Sequence, residues 1–241
     1  MQDFCRRVIA VLVSHRHKFI YTKTLKTGGT SVESYFERFC MPEGEWSQSH
    51  WRNEYVSEAG IIGFRGPNMP SNCRWWNHMP AALIRRGIGE GAWAEYFKFC
   101  VVRNPFDKVV SAFYFVRRAA NNPVQLADPA RERALFEQWL LQGSQLPLDR
   151  DKYLIDGKFC LDEVVRYENL AGDLEKVCAR LSVPWEPSLL PNFKSGIRPN
   201  DARVEMLYSE RARKVVANVF AFELEYFGYK FPDEALSAGA E

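Results

Sequence analysis

A chain of 241 residues is long enough for one large domain with a full core, and its 46% hydrophobic and 26% charged content is ordinary for a globular protein. Its 32 lysines and arginines stand against 30 acidic residues, a net charge of +2, which gives no bulk attraction to nucleic acid or a membrane surface. Any basic function must therefore be local. Six cysteines at 5, 40, 73, 100, 160 and 178 form no C-x-x-C pair, so neither a zinc site nor a disulfide framework is expected, and several fall in apolar patterns that suit a reducing compartment.

The first apolar run, VIAVLV at 8–13, is far shorter than the roughly 20 residues of a membrane span. It follows Asp3 and two arginines and has no small-residue cleavage site, so it is expected to be a strand or short buried segment. KFIYTKTL, from residue 18, reads as a buried strand. It runs into Lys26-Thr27-Gly28-Gly29-Thr30-Ser31, and Val32, Tyr35, Phe36 and Phe39 then mark one face of a helix. Thr30 and Glu33 have the spacing of a capping box. Residues 41–77, rich in Pro, Gly, Asn, Ser and Trp, read as a long irregular excursion.

A short helix is expected over 79–88, then a second buried strand in YFKFCVV. Asn104 suits an N-cap, Pro105 the first helical position and Asp107 the first turn, with Val109, Phe113 and Val116 on the helix face. Leu135, Phe136, Trp139 and Leu140 mark another helix, and FCLDEVVRYENL a third strand ending near Tyr167. Leu170, Leu174, Val177, Cys178 and Leu181 form the next helix stripe, and Ala212, Val215, Val216, Val219 and Phe220 the last long one. Strands alternating with helices predict an α/β fold: one domain over 1–241, with a central, mainly parallel sheet flanked by helices. In such sheets ligands bind at the carboxyl ends of strands.

Two turns sit there. In the first, a helix N-terminus offers partial positive charge and N–H donors, Gly28 and Gly29 allow close backbone approach, Lys26 adds a charge, and Thr27, Thr30 and Ser31 add hydroxyls. This is phosphate-loop logic, although the lysine precedes the glycines, unlike G-x-x-x-x-G-K-[ST]. In the second, Arg103 at a strand end can grip a phosphate through two N–H groups, and Ser111 about two helical turns on can add a bond. Two anion loops imply a ligand with two separated anionic groups.

Together, LKTGGTS and RNPFDKVVSAFYF resemble the sulfotransferases that use 3′-phosphoadenosine 5′-phosphosulfate (PAPS). HMPAALIRRGIGEGAWAEYFKFCVVRNPFDK, VVRYENL and ELEYFGYKF resemble the carbohydrate-type branch, sulfotransferase family 2, and the likeness runs in order from about 18 to 232. Leu25 stands where the family often has proline, and Lys108 where it usually has arginine. The resemblance implies a fold like that of nucleotide kinases, PAPS as donor with 3′-phosphoadenosine 5′-phosphate as product, and no metal. It implies in-line transfer with Lys26 on the leaving oxygen and residues 26–31 around the 5′-phosphosulfate. Arg103 and Ser111 then hold the 3′-phosphate, Tyr167 meets the adenine, and the loop containing Lys194, Ser195 and Arg198 closes over the 3′-phosphate.

By the same resemblance His78 is the general base, with His50 in reserve. Trp46, Trp51, Trp75 and Trp76 either stack on sugar faces or pin the excursion. The acceptor implied is a carbohydrate hydroxyl, with a protein tyrosine or small phenol as alternatives. A small-molecule kinase would need a P-loop and a metal carboxylate, and neither is read; a nucleotide-binding module without catalysis is disfavoured by Lys26 with His78. With no anchor segment read, a soluble cytoplasmic enzyme, bacterial or a trimmed Golgi-type form, is expected, without nucleic-acid partners or stable membrane insertion.

Overall fold

Four residues separate Val11–Ser14 from Phe19–Thr22, too few for anything but an antiparallel return. Leu12 pairs with Tyr21 and Val13 with Ile20, so each pair presents its side chains to one face of the sheet. The computed structural model describes residues 11–120, 128–143, 146–193, 196–199 and 202–232. From the amino end its strands and α-helices are β1 (Val11–Ser14), β2 (Phe19–Thr22), α1 (Gly29–Phe36), β3 (Tyr55–Val56), β4 (Gly60–Ile62), α2 (Ala81–Ile88), α3 (Glu90–Glu95) and β5 (Phe97–Val102). There follow α4 (Pro105–Ala119), α5 (Pro129–Leu141), α6 (Arg150–Tyr153), β6 (Leu154–Ile155), β7 (Lys158–Phe159), β8 (Glu163–Arg166), α7 (Leu170–Arg180), α8 (Val204–Leu207), α9 (Glu210–Val219) and α10 (Ala221–Tyr226).

These elements fall into two compact units, Met1–Val102 with Asp149–Phe193, and Arg103–Leu148 with Lys194–Glu241. The first contains a six-stranded sheet in the order β3-β4-β1-β2-β5-β8. Only β2, β5 and β8 run parallel; β1, β3 and β4 pair antiparallel. The mainly parallel sheet expected from the sequence is thus a mixed one. Parallel neighbours need long crossovers, which the chain provides between β2 and β5 and between β5 and β8. The sheet is covered on both faces. Leu12, Phe19, Tyr21, Phe99 and Val165 pack with Val32, Phe36, Leu174 and Val177 of α1 and α7. Val11, Val13 and Ile20 pack on the other side with Ile84 of α2 and Trp93 of α3.

Helix α1 is buried on every side, including the carboxylate of Glu33, and so is Glu37 just beyond it. Glu33 pairs with Lys23 at 2.6 Å and Arg65 at 2.9 Å, while Glu37, just past the helix, pairs with Arg65 at 2.5 Å and Arg52 at 2.8 Å. Arg65 also donates to the carbonyl oxygens of Ser49 and His50. The excursion over 41–77 is therefore held to α1 by a buried ionic network. Arg65 is the cation that both carboxylates share, so removing it takes one of two cation partners from each buried charge. Arg65→Met is expected to lower unfolding free energy by about 3–5 kcal/mol, read from the denaturant midpoint. A change below about 1 kcal/mol would mean that the carboxylates find other partners.

In the second unit, Phe106, Val109, Phe113 and Tyr114 of α4 pack with Phe136, Leu140, Leu207, Tyr208, Val216 and Phe220. The Tyr208 hydroxyl donates to the Phe106 carbonyl at 2.9 Å. The last long helix expected around 212–220 ends at Val219, and the chain restarts as α10 after Phe220. The five described cysteines form no disulfide. Burial raises the Cys160 and Cys178 thiols to about 11, as suits packing groups rather than nucleophiles.

Candidate active site

Six residues turn the chain from Thr22 at the end of β2 to Gly29 at the start of α1. Their backbone is fixed at three successive points. The Thr24 hydroxyl donates to the Val101 carbonyl on neighbouring β5. Leu25 N–H is shared by both carboxylate oxygens of Asp149, each at 3.0 Å. The Thr27 hydroxyl lies 2.8 Å from Thr24 Oγ1, and since Thr24 gives its proton to Val101, Thr27 is the donor. Lys26 stands among these anchors with φ of 59°, a left-handed conformation that costs a lysine on the order of 1–3 kcal/mol. It is half-buried.

Gly28 caps α1 with φ of 71°, and a Cβ there would lie 3.2 Å from the Tyr167 ring. Tyr167, just past β8, thus covers the loop glycine while packing beside the core. A Cβ on Gly29 would come within 2.9 Å of the Lys23 side chain. The N-cap of α1 is Gly28, which has no side chain to cap with; its carbonyl takes the Ser31 N–H at 2.9 Å, and the first turn carries the positive end of the dipole. The capping box expected from Thr30 and Glu33 does not form. The helix begins one residue before Thr30, and Glu33 turns to Lys23 and Arg65 instead. Two buried cations attract a carboxylate more strongly than one backbone N–H does.

The three hydroxyls of the loop differ. Thr27 is fully buried and its proton is used within the turn. Thr30 Oγ1 accepts from Lys23 Nζ at 3.3 Å, and Ser31 Oγ accepts from Phe193 N–H at 3.2 Å. Those two hydroxyls therefore keep their own protons for donation. An anion at this helix end would meet the first-turn N–H groups, two hydroxyl donors and a lysine.

His78 comes to the same loop. Its φ is 57°, again left-handed, and its Nδ1 lies 3.0 Å from the Lys23 carbonyl oxygen. A carbonyl only accepts, so Nδ1 carries the proton and the neutral ring has its lone pair on Nε2. His50 sits edge-on to Trp51 at 4.4 Å and to Phe193 at 5.2 Å, and Phe193 is the residue bonded to Ser31. Of the four tryptophans, Trp46 donates to the Ser34 carbonyl at 3.0 Å, Trp75 is buried, and Trp76 packs beside it. Those three pin the excursion, whereas Trp51 is 56% exposed.

Arg103 and Ser111 belong to the second unit. Asn104 caps α4 by accepting from Phe106 N–H, with Pro105 in the first turn, as the sequence predicts. Arg103 pairs with Asp107 at 2.6 Å, and the other Asp107 oxygen takes the Arg198 guanidinium. One carboxylate thus gathers two arginines. Ser111 lies one helical turn beyond Asp107 and is half-buried. Lys194 and Ser195 lie outside the described residues.

Sequence reasoning passed over three participants. Lys23 supplies the carbonyl that orients His78 and the ammonium that holds Thr30. Asp149 reaches Leu25 from 124 residues away, a separation that no local pattern signals. Asp107 was legible as a first-turn acid, not as the partner of Arg198. Among the described residues, no three His, Cys, Asp or Glu side chains gather as a metal site would require.

A family model described as the sulfotransferase family matches residues 10–230. The chain belongs to the sulfotransferase family, in its family 2 branch. An uncharacterised protein of Archaeoglobus fulgidus is 31% identical over 108 residues, which is 45% of this chain and 86% of that protein. No solved structure matches at a significant level. Among the described residues, no helix is long and apolar enough to cross a membrane.

Proposed function

We propose that this transferase moves a sulfuryl group from PAPS to an acceptor hydroxyl, and that the chain, 1–241, is a single sulfotransferase domain, a reading supported by the family match over 10–230. The observation that carries the reading is the glycine-capped N-terminus of α1, with Lys26 before it and His78 Nδ1 on the carbonyl of Lys23. An anion site and an oriented imidazole meet on one turn. The nucleotide supplies the sulfuryl group. Gly28, Gly29, Thr30 and Ser31 hold its 5′ end through N–H and O–H donors, and Thr27 shapes the turn from within.

Lys26 neutralises charge on the leaving phosphate as the sulfur–oxygen bond breaks. His78 Nε2 takes the acceptor proton as the new oxygen–sulfur bond forms. A sulfuryl group carries less negative charge than a phosphoryl group, so a lysine and backbone dipoles suffice for it without a metal. The roles of Arg103 and Ser111 on the 3′-phosphate, Tyr167 at the adenine, and Lys194 and Ser195 in a closing loop follow from the family resemblance. The reading of a soluble cytoplasmic enzyme accords with the thiols of Cys40, Cys73, Cys100, Cys160 and Cys178, none of them in a disulfide. A carbohydrate acceptor is supported by the family branch and by Trp51, whose open face on the anchored excursion suits the apolar side of a sugar ring.

Calorimetric titration with 3′-phosphoadenosine 5′-phosphate, AMP and ATP tests the donor assignment. Clear preference for the 3′-phosphorylated nucleotide is expected; preference for ATP would restore the kinase reading. Arg103→Ala should reduce the preference over AMP by about tenfold or more, the effect of losing one charge-assisted contact of about 1.5–3 kcal/mol. An unchanged ratio would remove Arg103 from the 3′-phosphate.

A further inference from the structure

We infer that Asp149 is the positioning residue of the anion loop: its carboxylate pins the backbone at Leu25, directly before the left-handed Lys26. The inference rests on the sulfotransferase reading for what the loop binds, but its geometry stands apart from it. Asp149 is fully buried, and both of its oxygens lie 3.0 Å from Leu25 N–H. A buried carboxylate shared by one amide is a strong acceptor, because the ionised oxygens lose water and gain a charge-assisted bond. The Leu25 N–H belongs to the peptide joining Thr24 to Leu25, so holding it fixes the turn one peptide before the plane that enters the strained Lys26.

The other two anchors cannot do this alone. Thr24 ties the chain to β5 through its side chain, and Thr27 ties back to Thr24. Both act through rotatable hydroxyls; Thr27 also reaches the Thr24 carbonyl at 3.3 Å and His78 holds the Lys23 carbonyl, but none of these engages a backbone N–H of the loop. Asp149 acts on the backbone itself, from the amino end of α6, where its own carbonyl accepts from Lys152 N–H at 2.7 Å. A leucine at position 25 is what makes the contact possible. A proline there would set its own φ and have no N–H to give.

A reacting group displaced by about 1 Å can lose on the order of 10²-fold in rate, so such a tether is expected to show in turnover more than in affinity. The test compares Asp149→Ala and Asp149→Asn with the wild type. Asparagine keeps the shape and one acceptor oxygen, and it guards against a variant that fails to fold. Three quantities are read: hydrogen exchange at the Leu25 amide, the Kd of 3′-phosphoadenosine 5′-phosphate with pyrophosphate as a second anion probe, and kcat with KM for transfer from PAPS. Asp149→Ala should lose Leu25 protection by about tenfold or more and kcat by about hundredfold, with Kd weakened severalfold. Asp149→Asn should recover most of each.

Wild-type exchange in Asp149→Ala overturns the inference, as does lost exchange protection with unchanged kcat and anion affinity. An asparagine variant that protects Leu25 yet stays as slow as the alanine one also overturns it, since charge and not position would then be at work. If the wild type itself ignores the 3′-phosphorylated nucleotide, the proposed donor falls. The tether is then judged by exchange and pyrophosphate affinity in the same variants, where a loss in alanine and recovery in asparagine uphold it and no loss overturns it.

Discussion

Lys26→Ala is expected to lower kcat for transfer from PAPS by about 10²–10³-fold, the scale of removing one preorganised donor from a developing anion. The Kd of 3′-phosphoadenosine 5′-phosphate should weaken far less. Much of the ground-state binding at this turn would come from the first-turn N–H groups of α1 and from the hydroxyls of Thr30 and Ser31, which the substitution leaves in place. On the proposed mechanism the lysine acts when charge gathers on the leaving oxygen, so its loss should fall on turnover. Single-turnover kinetics beside calorimetry separates the two. A large affinity loss with normal turnover would make Lys26 a binding residue only. Alanine also adopts the left-handed region with difficulty. Lys26→Gly, which relieves that strain, should therefore be equally slow if the missing ammonium is the cause.

His78→Ala is expected to reduce transfer by about 10²–10⁴-fold while nucleotide affinity stays near the wild-type value. The hydrogen bond from Nδ1 to the Lys23 carbonyl directs the lone pair to Nε2, the state a general base requires. A base must be neutral to act. If His78→Ala keeps full activity, the base lies elsewhere, and His50, set edge-on to Phe193, is next to be replaced.

Much of the architecture was legible because the patterns were local. Hydrophobic periodicity marked α1, α4, α5 and α7. The Asn104-Pro105 start of α4 was readable from the residue types alone, since a cap and a fixed φ act within one turn. The sheet was read only in part. A strand shows which residues are buried, but its direction depends on the length of the connections and on which neighbour it finds. The four-residue return between β1 and β2 decided the antiparallel half.

At the candidate site the same division holds. The residue types of Lys26-Thr27-Gly28-Gly29-Thr30-Ser31 were enough to call an anion loop, because glycine freedom and helix dipoles follow from the chain itself. The roles of the individual hydroxyls were not legible. Thr27 and Thr30 look alike in sequence, yet one hydroxyl is spent inside the turn and the other accepts from Lys23. Glu33 had the spacing of a capping box, and two distant cations took it instead. By itself, the sequence determined the strand-to-helix turn, its paired glycines and the kinds of donor gathered there. Only the tertiary structure decided which donors keep their protons, which way the His78 ring is turned, and that Asp149 holds the backbone before Lys26. Those depend on partners up to 124 residues apart, which only the folded chain brings within hydrogen-bond reach.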